Sequence, residues 1–451
     1  MDILIDHGSA WNVGDISMLE SAVNELLLLM PEATLHVVDR PRLRTNIWDY
    51  ERVKKYPPYQ LLEPLQLDGG GWLSKAVIKN VGRVGRHVIR SGTAKRGFAL
   101  EFPNRIVPPA TLRMKPAGTV ADYCGPFDAL FVAGGGMITD TFSWGLIQRS
   151  ALVRTFAAQG KPIVFTGQQI GPFESRHSRH LTAKTLRVAT YVGVREPTAS
   201  LDYARTLGAR RYELMGDDSC GFSVDLKDAA QRLKKRGLEA GQFFAVNVRV
   251  GDYAAEHATH LNRIAELVGM LTERTGLPAL VVPVALGGQK SDIISGYSLR
   301  KAVGDHVLVL DDEDLTAKTV KGVMGLAHGA VGVSYHFCTF ALTQGIPAVC
   351  IHDGAYYGQK GDGIAAFWGD SRLSLPLPGL DASAASELVD SVWKDASLRV
   401  ALSKRSREAE IHWKQVYANR VVPALQGIDV AATPSVARDE VVSKPRPTLP
   451  S

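Results

Sequence analysis

The sequence predicts an α/β protein with two Rossmann-like, doubly wound domains facing a cleft, followed by C-terminal helices. Three observations predict this. Short apolar strand-like runs alternate with helix-like runs over most of the chain, the pattern of a parallel sheet covered on both faces. The alternation breaks near Gly216 and then restarts. The length, 451 residues, exceeds what one ordinary core supports and fits two domains.

ILI (3–5) reads as a strand and ISMLESAVNELLLLM (16–30) as a helix, with TLHVVD (34–39) a strand again. DALFVAGGG (128–136) and PIVFTGQQIG (162–171) are apolar runs that end in glycines. RHLTAKTLRVA (179–189) reads as a helix, YVGVRE (191–196) as a strand and TASLDYARTLG (198–208) as a helix stopped by glycine. In the second half, FFAVNVRV (243–250), ALVVPVAL (279–286), HVLVLD (306–311), AVGVSYH (330–336) and IPAVCIHD (346–353) are strand candidates. LTAKTVKGVMGLAH (315–328) is a helix with Asp314 as its expected N-cap. These elements place one domain at 1–215, a second at 216–385, helices packed on the outside at 386–426, and a disordered tail at 427–451.

The apolar share of 45% and charged share of 22% are those of a soluble globular protein. A net charge of +6 favours anionic substrates or surfaces without naming one. Cys124, Cys220, Cys338 and Cys350 have no metal-type spacing and read as buried thiols in a reducing compartment. The opening MDILID lacks the basic and apolar regions of a signal peptide, and LLLLM (26–30) is too short to span a bilayer. The expectation is a cytoplasmic protein with no nucleic-acid partner and no metal. One insertion, about 72–115, breaks the pattern. Its Lys75, Lys79, Arg83, Arg86 and Arg90 recur at helical steps, and its only acid is Glu101. The stripe either rests on an anionic membrane or acidic lipid-linked substrate, or is the solvated face of an ordinary helix.

In doubly wound sheets, ligands bind beyond the carboxyl ends of the strands, and the chemistry-bearing motifs fall there. NVGD brings Asn12, Gly14 and Asp15, with Asp15 either an N-cap or a cleft acid. It is not a GxGxxG fingerprint, so no dinucleotide is inferred. AGGGMITD brings Gly134, Gly135 and Gly136, which either admit an anion to backbone amides or merely allow close packing. In TGQQIGP a buried glutamine must be hydrogen-bonded, so one of Gln168 and Gln169 faces a polar cleft. In VGVREPTAS, Arg195 suits a carboxylate or phosphate, or pairs with a neighbouring acid. In MGDDSC, Asp217 and Asp218 are caps, hinge contacts or acids. His336 sits where a strand turns into a helix. There the helix dipole disfavours its charge and an anionic ligand restores it, as suits a general acid; otherwise it is bonded to backbone in the interdomain wall. In YYGQKGDG, Lys360 is a further anion ligand.

Taken in order, these motifs resemble the polysaccharide pyruvyltransferase family. The matching stretches are Asn12–Asp15, Gly134–Gly136, Gly167–Pro172, Arg195 with Ser200, Gly216–Asp218, His336, Gly345–Pro347 and Tyr357–Gly363. They run from about residue 10 to 365. The resemblance implies a GT-B-like fold. It implies transfer of the enolpyruvyl carbons of phosphoenolpyruvate onto two hydroxyls of a sugar as a pyruvate ketal. The acceptor would be a polysaccharide or its lipid-linked precursor in cell-surface glycan biosynthesis, at the inner membrane face if lipid-linked, and no cofactor is needed. His336 would be the acid, Arg195 would hold the donor's anionic groups, and Asn12, Asp15 and Gln168 would line the acceptor side, with Asp15 a second catalytic group. The sequence departs from the family at one place. Where the family usually has Arg-x-His, this chain has Ser334-Tyr335-His336. A serine cannot make the bidentate charged pair. Either Arg249 or Lys360 takes over, or the donor differs, or the reaction is not catalysed. Two other functions suit the same architecture: a nucleotide-sugar glycosyltransferase and a non-catalytic glycan-binding protein.

Overall fold

The computed structural model describes residues 1–40, 43, 45–59, 120–249, 257–287, 291–379 and 381–429. The basic insertion expected at 72–115 and the tail from 430 onward lie outside the described residues.

The first sheet contains β1 (Asp2–Asp6), β2 (Thr34–Val38), β3 (Val53–Tyr56), β4 (Ala129–Val132), β5 (Gly135–Ile138), β6 (Ile163–Ile170), β7 (Tyr191–Val194) and β8 (Tyr212–Leu214). Their order is β3-β2-β1-β4-β6-β7-β8, with β5 paired to the far end of β6. The second sheet contains β9 (Phe244–Asn247), β10 (Ala279–Val281), β11 (Val307–Val309), β12 (Ala330–Gly332), β13 (Ala348–His352) and β14 (Ser374–Pro376), in the order β11-β10-β9-β12-β13-β14. All pairings are parallel. Each sheet therefore reverses direction beside its first strand, between β1 and β4 and between β9 and β12. Those are the switch points where loops diverge and leave a crevice. The central strands are fully buried and read as continuous apolar runs. Three of the four edge strands, β3, β8 and β14, are short and mixed in polarity, VKKY, YEL and SLP, and carry no such signal; the fourth, β11, is apolar, VLV.

The C-terminal helices pack one face against the first sheet and leave the other exposed. The chain from Ala396–Val416 through Tyr417–Val421 to Val422–Leu425 crosses back to the first sheet. There Trp413, Val416, Tyr417, Val421 and Leu425 join one buried cluster with Ile3, Ile5, Phe131 and Val164. Their three- and four-residue steps make one apolar stripe, and such a stripe needs a partner surface. One expectation fails. Asp314 is not a cap but pairs with Arg232 at 2.8 Å. Thr316, directly before the helix Ala317–Gly325, accepts the Thr319 N–H at 3.1 Å instead.

Backbone bonds tie the two halves across the crevice. Val13 N–H donates to Val284 O at 2.9 Å, and Leu286 N–H to Trp11 O at 2.8 Å. On the far side, Gln359 Nε2 donates to Ile170 O at 2.9 Å and Tyr356 OH to Gly136 O at 3.3 Å. Among the described residues, no helix is long and apolar enough to cross a membrane.

Candidate active site

The carboxyl ends of both sheets open onto one cleft of about 340 Å³. From the first half it is lined by Ser9, Trp11, Asn12, Asp15, Gly136, Phe142 and Arg195. From the second come Arg249, Ser334, Tyr335, His336, Tyr356, Tyr357 and Lys360.

His336 is positioned by the end of β12. Ser334 stands at the N-cap of the helix Tyr335–Leu342 in extended conformation, and its N–H donates to Asn247 Oδ1 at 3.1 Å. His336 is then the second helical residue and is buried, with Nε2 3.5 Å from Asp217 Oδ2. Its ring lies against Gly14, the second residue of the helix Val13–Leu29. A Cβ on Gly14 would stand 2.1 Å from both Cγ and Nδ1 of His336. The glycine of NVGD is thus required by a side chain more than three hundred positions away. Gly14→Ala is expected to lower stability by about 1–3 kcal/mol through overpacking. At an ordinary helical position the same change stabilises by about 0.5–1 kcal/mol. Denaturant midpoints decide the sign.

Asp217 caps the turn Asp218–Gly221, its Oδ1 accepting the Ser219 N–H at 2.9 Å. Its Oδ2 faces His336 and, at 3.7 Å, Arg195 Nη1. Burial alone would raise this carboxyl, but the His336 ring and then the Arg195 guanidinium more than offset it and hold it at about 2. Arg195 ends β7 and is 1% exposed. It donates to Gln169 Oε1 and lies 3.7 Å from the centroid of the Tyr335 ring.

Gln169, not Gln168, is therefore the glutamine that meets Arg195, and neither lines the cleft itself. Gln168 points to the other side of β6 and donates to Val132 O, Ala133 O and Thr166 O at 3.3, 2.9 and 2.8 Å. Neighbouring strand residues face opposite ways, so only one of the pair meets Arg195. The triple glycine divides similarly. The Gly134 N–H is taken by Asp218 Oδ2 at 3.0 Å, and a Cβ there would clash with Asp218 and Met18 at 2.8 Å. It serves packing. Gly135 opens β5 and is not among the lining residues. Gly136 alone lines the cleft, where a Cβ would crowd Gln169 Oε1 and the Tyr356 hydroxyl at 3.1 Å.

Asn12, not Asp15, caps the first helix, accepting the Gly14 N–H at 2.9 Å. Asp15 is the third helical residue, and its Oδ2 accepts the Ser9 N–H at 2.8 Å. Both line the cleft. Arg249 follows β9 and lies 3.7 Å from Asp292 Oδ1. Lys360 sits within the helix Gly354–Trp368, its Nζ 3.9 Å from the Tyr356 ring centroid and 5.2 Å from that of Tyr357. Burial, then Arg195 and Arg249, push its ammonium well below the usual range. Ser334 lines the cleft with its small hydroxyl, so the cations around it come from Arg195, Arg249 and Lys360. Among the described residues, no group of three or more His, Cys, Asp or Glu is placed to hold a metal ion.

Asp218, next to Asp217, faces away from the cleft. It accepts hydrogen bonds from Thr166 Oγ1 (2.7 Å), Gly134 N–H (3.0 Å), Trp413 Nε1 (2.9 Å) and Tyr417 OH (3.0 Å). The adjacent pair thus splits into one cleft-facing cap and one buried hub.

Among curated proteins, none matches the sequence. Solved structures share its fold at low identity. A putative UDP-N-acetylglucosamine 2-epimerase from Listeria monocytogenes superposes with TM-score 0.59 at 12% identity, covering 97% of this chain and 99% of the other. The Anabaena protein HepE, crystallised with UDP and glucose, gives 0.54 at 13%, covering 95% and 100%. The UDP-GlcNAc 2-epimerase from Neisseria meningitidis, bound to UDP-GlcNAc, gives 0.52 at 10%, covering 95% and 100%. These likenesses and the two parallel sheets make the fold GT-B-like. A family model for polysaccharide pyruvyl transferase matches residues 12–352, a span that holds Asn12, Gly136, Arg195, Asp217, Arg249 and His336. The chain belongs to the polysaccharide pyruvyl transferase family.

Proposed function

We propose that the protein transfers the pyruvyl carbons of phosphoenolpyruvate to two hydroxyls of a saccharide as a cyclic ketal. The observation that carries this is the convergence of one buried histidine with Arg195, Arg249 and Lys360 in a single cleft. The donor carries a carboxylate and a phosphate, and three cations from three separate elements match that charge. His336 donates a proton to the methylene carbon, which leaves the central carbon electron-poor. One sugar hydroxyl adds there. The second hydroxyl then displaces phosphate. One hydroxyl proton replaces the one His336 gave, and the other leaves with phosphate. Asp15, which also lines the cleft, takes the first hydroxyl proton as the base and passes it back to the imidazole, so that it ends the cycle ionised. No cofactor takes part in this scheme.

Arg249 fills the role of the arginine missing at Ser334. It enters the cleft from β9, the neighbour of β12 in the second sheet. Lys360, its charge disfavoured in the empty cleft, regains it beside an anionic donor. A lipid-linked acceptor would bring the protein to the inner membrane face, where the basic insertion outside the described residues would meet anionic lipid.

Phosphoenolpyruvate is expected to raise the melting temperature, by the equivalent of about 2.7 kcal/mol at 100 times its dissociation constant. Arg249→Ala is expected to lose most of that shift. A wild-type shift with a UDP-sugar and none with phosphoenolpyruvate would replace pyruvyl transfer by glycosyl transfer.

A further inference from the structure

We propose that Asp217 is the positioning partner of His336, and that it selects Nδ1 as the nitrogen that delivers the proton. The inference rests on the proposed role of His336 as general acid. Among the described residues, the carboxylate within ion-pair distance of His336 is that of Asp217.

The geometry is built rather than incidental. The Ser219 N–H fixes one oxygen of Asp217 through the capping turn, so the direction of the other is set by backbone. That other oxygen, Oδ2, is buried and has no close hydrogen bond, and neither has His336 Nε2, 3.5 Å away. Two buried polar atoms aimed at each other just beyond hydrogen-bond reach form a contact ready to tighten when ligand enters. Gly14 packs against the ring beside its Cγ–Nδ1 bond and limits its rotation. The imidazole is thus held between a carboxylate and a glycine.

The other charged and titratable groups around the cleft make this carboxylate matter. Arg195 comes from β7, Arg249 from β9 and Lys360 from the helix Gly354–Trp368, and all three oppose a charged imidazole. Asp15 comes from the first helix, bonded to the Ser9 N–H, and Tyr335, Tyr356 and Tyr357 are uncharged neighbours. Asp217 is the buried anion that opposes the three cations at the ring itself. With Asp217 on Nε2, that nitrogen keeps its hydrogen in both charge states. The proton that becomes part of the new methyl group therefore leaves from Nδ1. The imidazole is left neutral, Asp217 stays ionised, and a hydroxyl proton restores Nδ1.

The test uses the full chain with isotope-labelled histidine and no donor present. Asp217→Asn keeps both the cap and the volume, since Asn caps as well as Asp. The midpoint of the His336 titration is expected to fall by about one pH unit or more, because the charged form has lost its counter-charge. Asp15→Asn is expected to move it far less. The alkaline limb of phosphate release from phosphoenolpyruvate should move to lower pH with it, and Asp217→Glu should restore part of both. An unmoved midpoint in Asp217→Asn, or an equal fall in Asp15→Asn, overturns the pairing. If Asp217→Asn does not fold, the wild-type Asp217 carboxyl carbon serves: it should show a second inflection at the His336 midpoint, and its absence overturns the pairing too. A shifted titration without any turnover of phosphoenolpyruvate keeps the pair and sinks the donor assignment. Turnover with an unmoved midpoint does the reverse.

Discussion

His336→Gln is expected to lower phosphate release from phosphoenolpyruvate and acceptor by about 10²–10⁴-fold, the usual contribution of a positioned general acid. Glutamine keeps a polar side chain of similar reach in the space between Gly14 and Asp217 but has no proton to deliver to carbon. Donor binding should survive, because the cations that face the donor stand on other elements: Arg195 on β7, Arg249 beyond β9, and Lys360 on the helix Gly354–Trp368. The measurement is a split. Turnover falls, while the thermal shift with phosphoenolpyruvate stays within about 1 °C of wild type. Loss of both would mean that His336 is a binding residue. Retention of turnover would mean that another group lining the cleft, Lys360 first among them, is the acid.

The architecture was legible from sequence because each central strand buries both faces and must read as an unbroken apolar run. The edge strands β3, β8 and β14 were not, since half-exposed strands such as VKKY have no such constraint, whereas the apolar edge strand β11 was. Much of the cleft was legible too, because polar and glycine residues at strand ends have few other uses in a doubly wound sheet. Side-chain direction was the illegible part. Gln168 and Gln169 are chemically identical, and only the side of β6 each one faces decides which reaches Arg195. Long-range pairing was equally hidden. Nothing local marks Arg149 as the partner of Asp6, 143 positions away, or Gly14 as the floor under His336. The surface that the C-terminal helices cover was hidden for a related reason. The stripe Trp413, Tyr417 and Val421 announces burial but not against which domain.

Asp218→Ala is expected to destabilise the fold by about 3–5 kcal/mol at pH 7, the loss typical when one side of a buried charged network is removed. Four donors converge on this carboxylate, two of them from the C-terminal helix and π-turn. Removing it strands them and loosens the clasp between that segment and the first sheet. Its pH dependence should run opposite to that of most acids. Burial raises the Asp218 carboxyl from 3.8 to about 6, against the hydrogen bonds from Trp413 and Thr166 that lower it. The folded state therefore holds this proton more tightly than the unfolded chain. Stability from this group falls as pH rises between about 4 and 6 and grows as pH drops through the same window. The gap between wild type and Asp218→Ala should then be about 1 kcal/mol wider at pH 5 than at pH 7. Asp217 behaves the other way. Held at about 2, it contributes stability above about pH 4 and loses it only below that. The two windows do not overlap, so urea midpoints at pH 5 and pH 7 isolate the Asp218 effect. A gap that narrows at pH 5 would show that the carboxylate is held ionised by its four donors and that hydrogen bonding outweighs burial at this site.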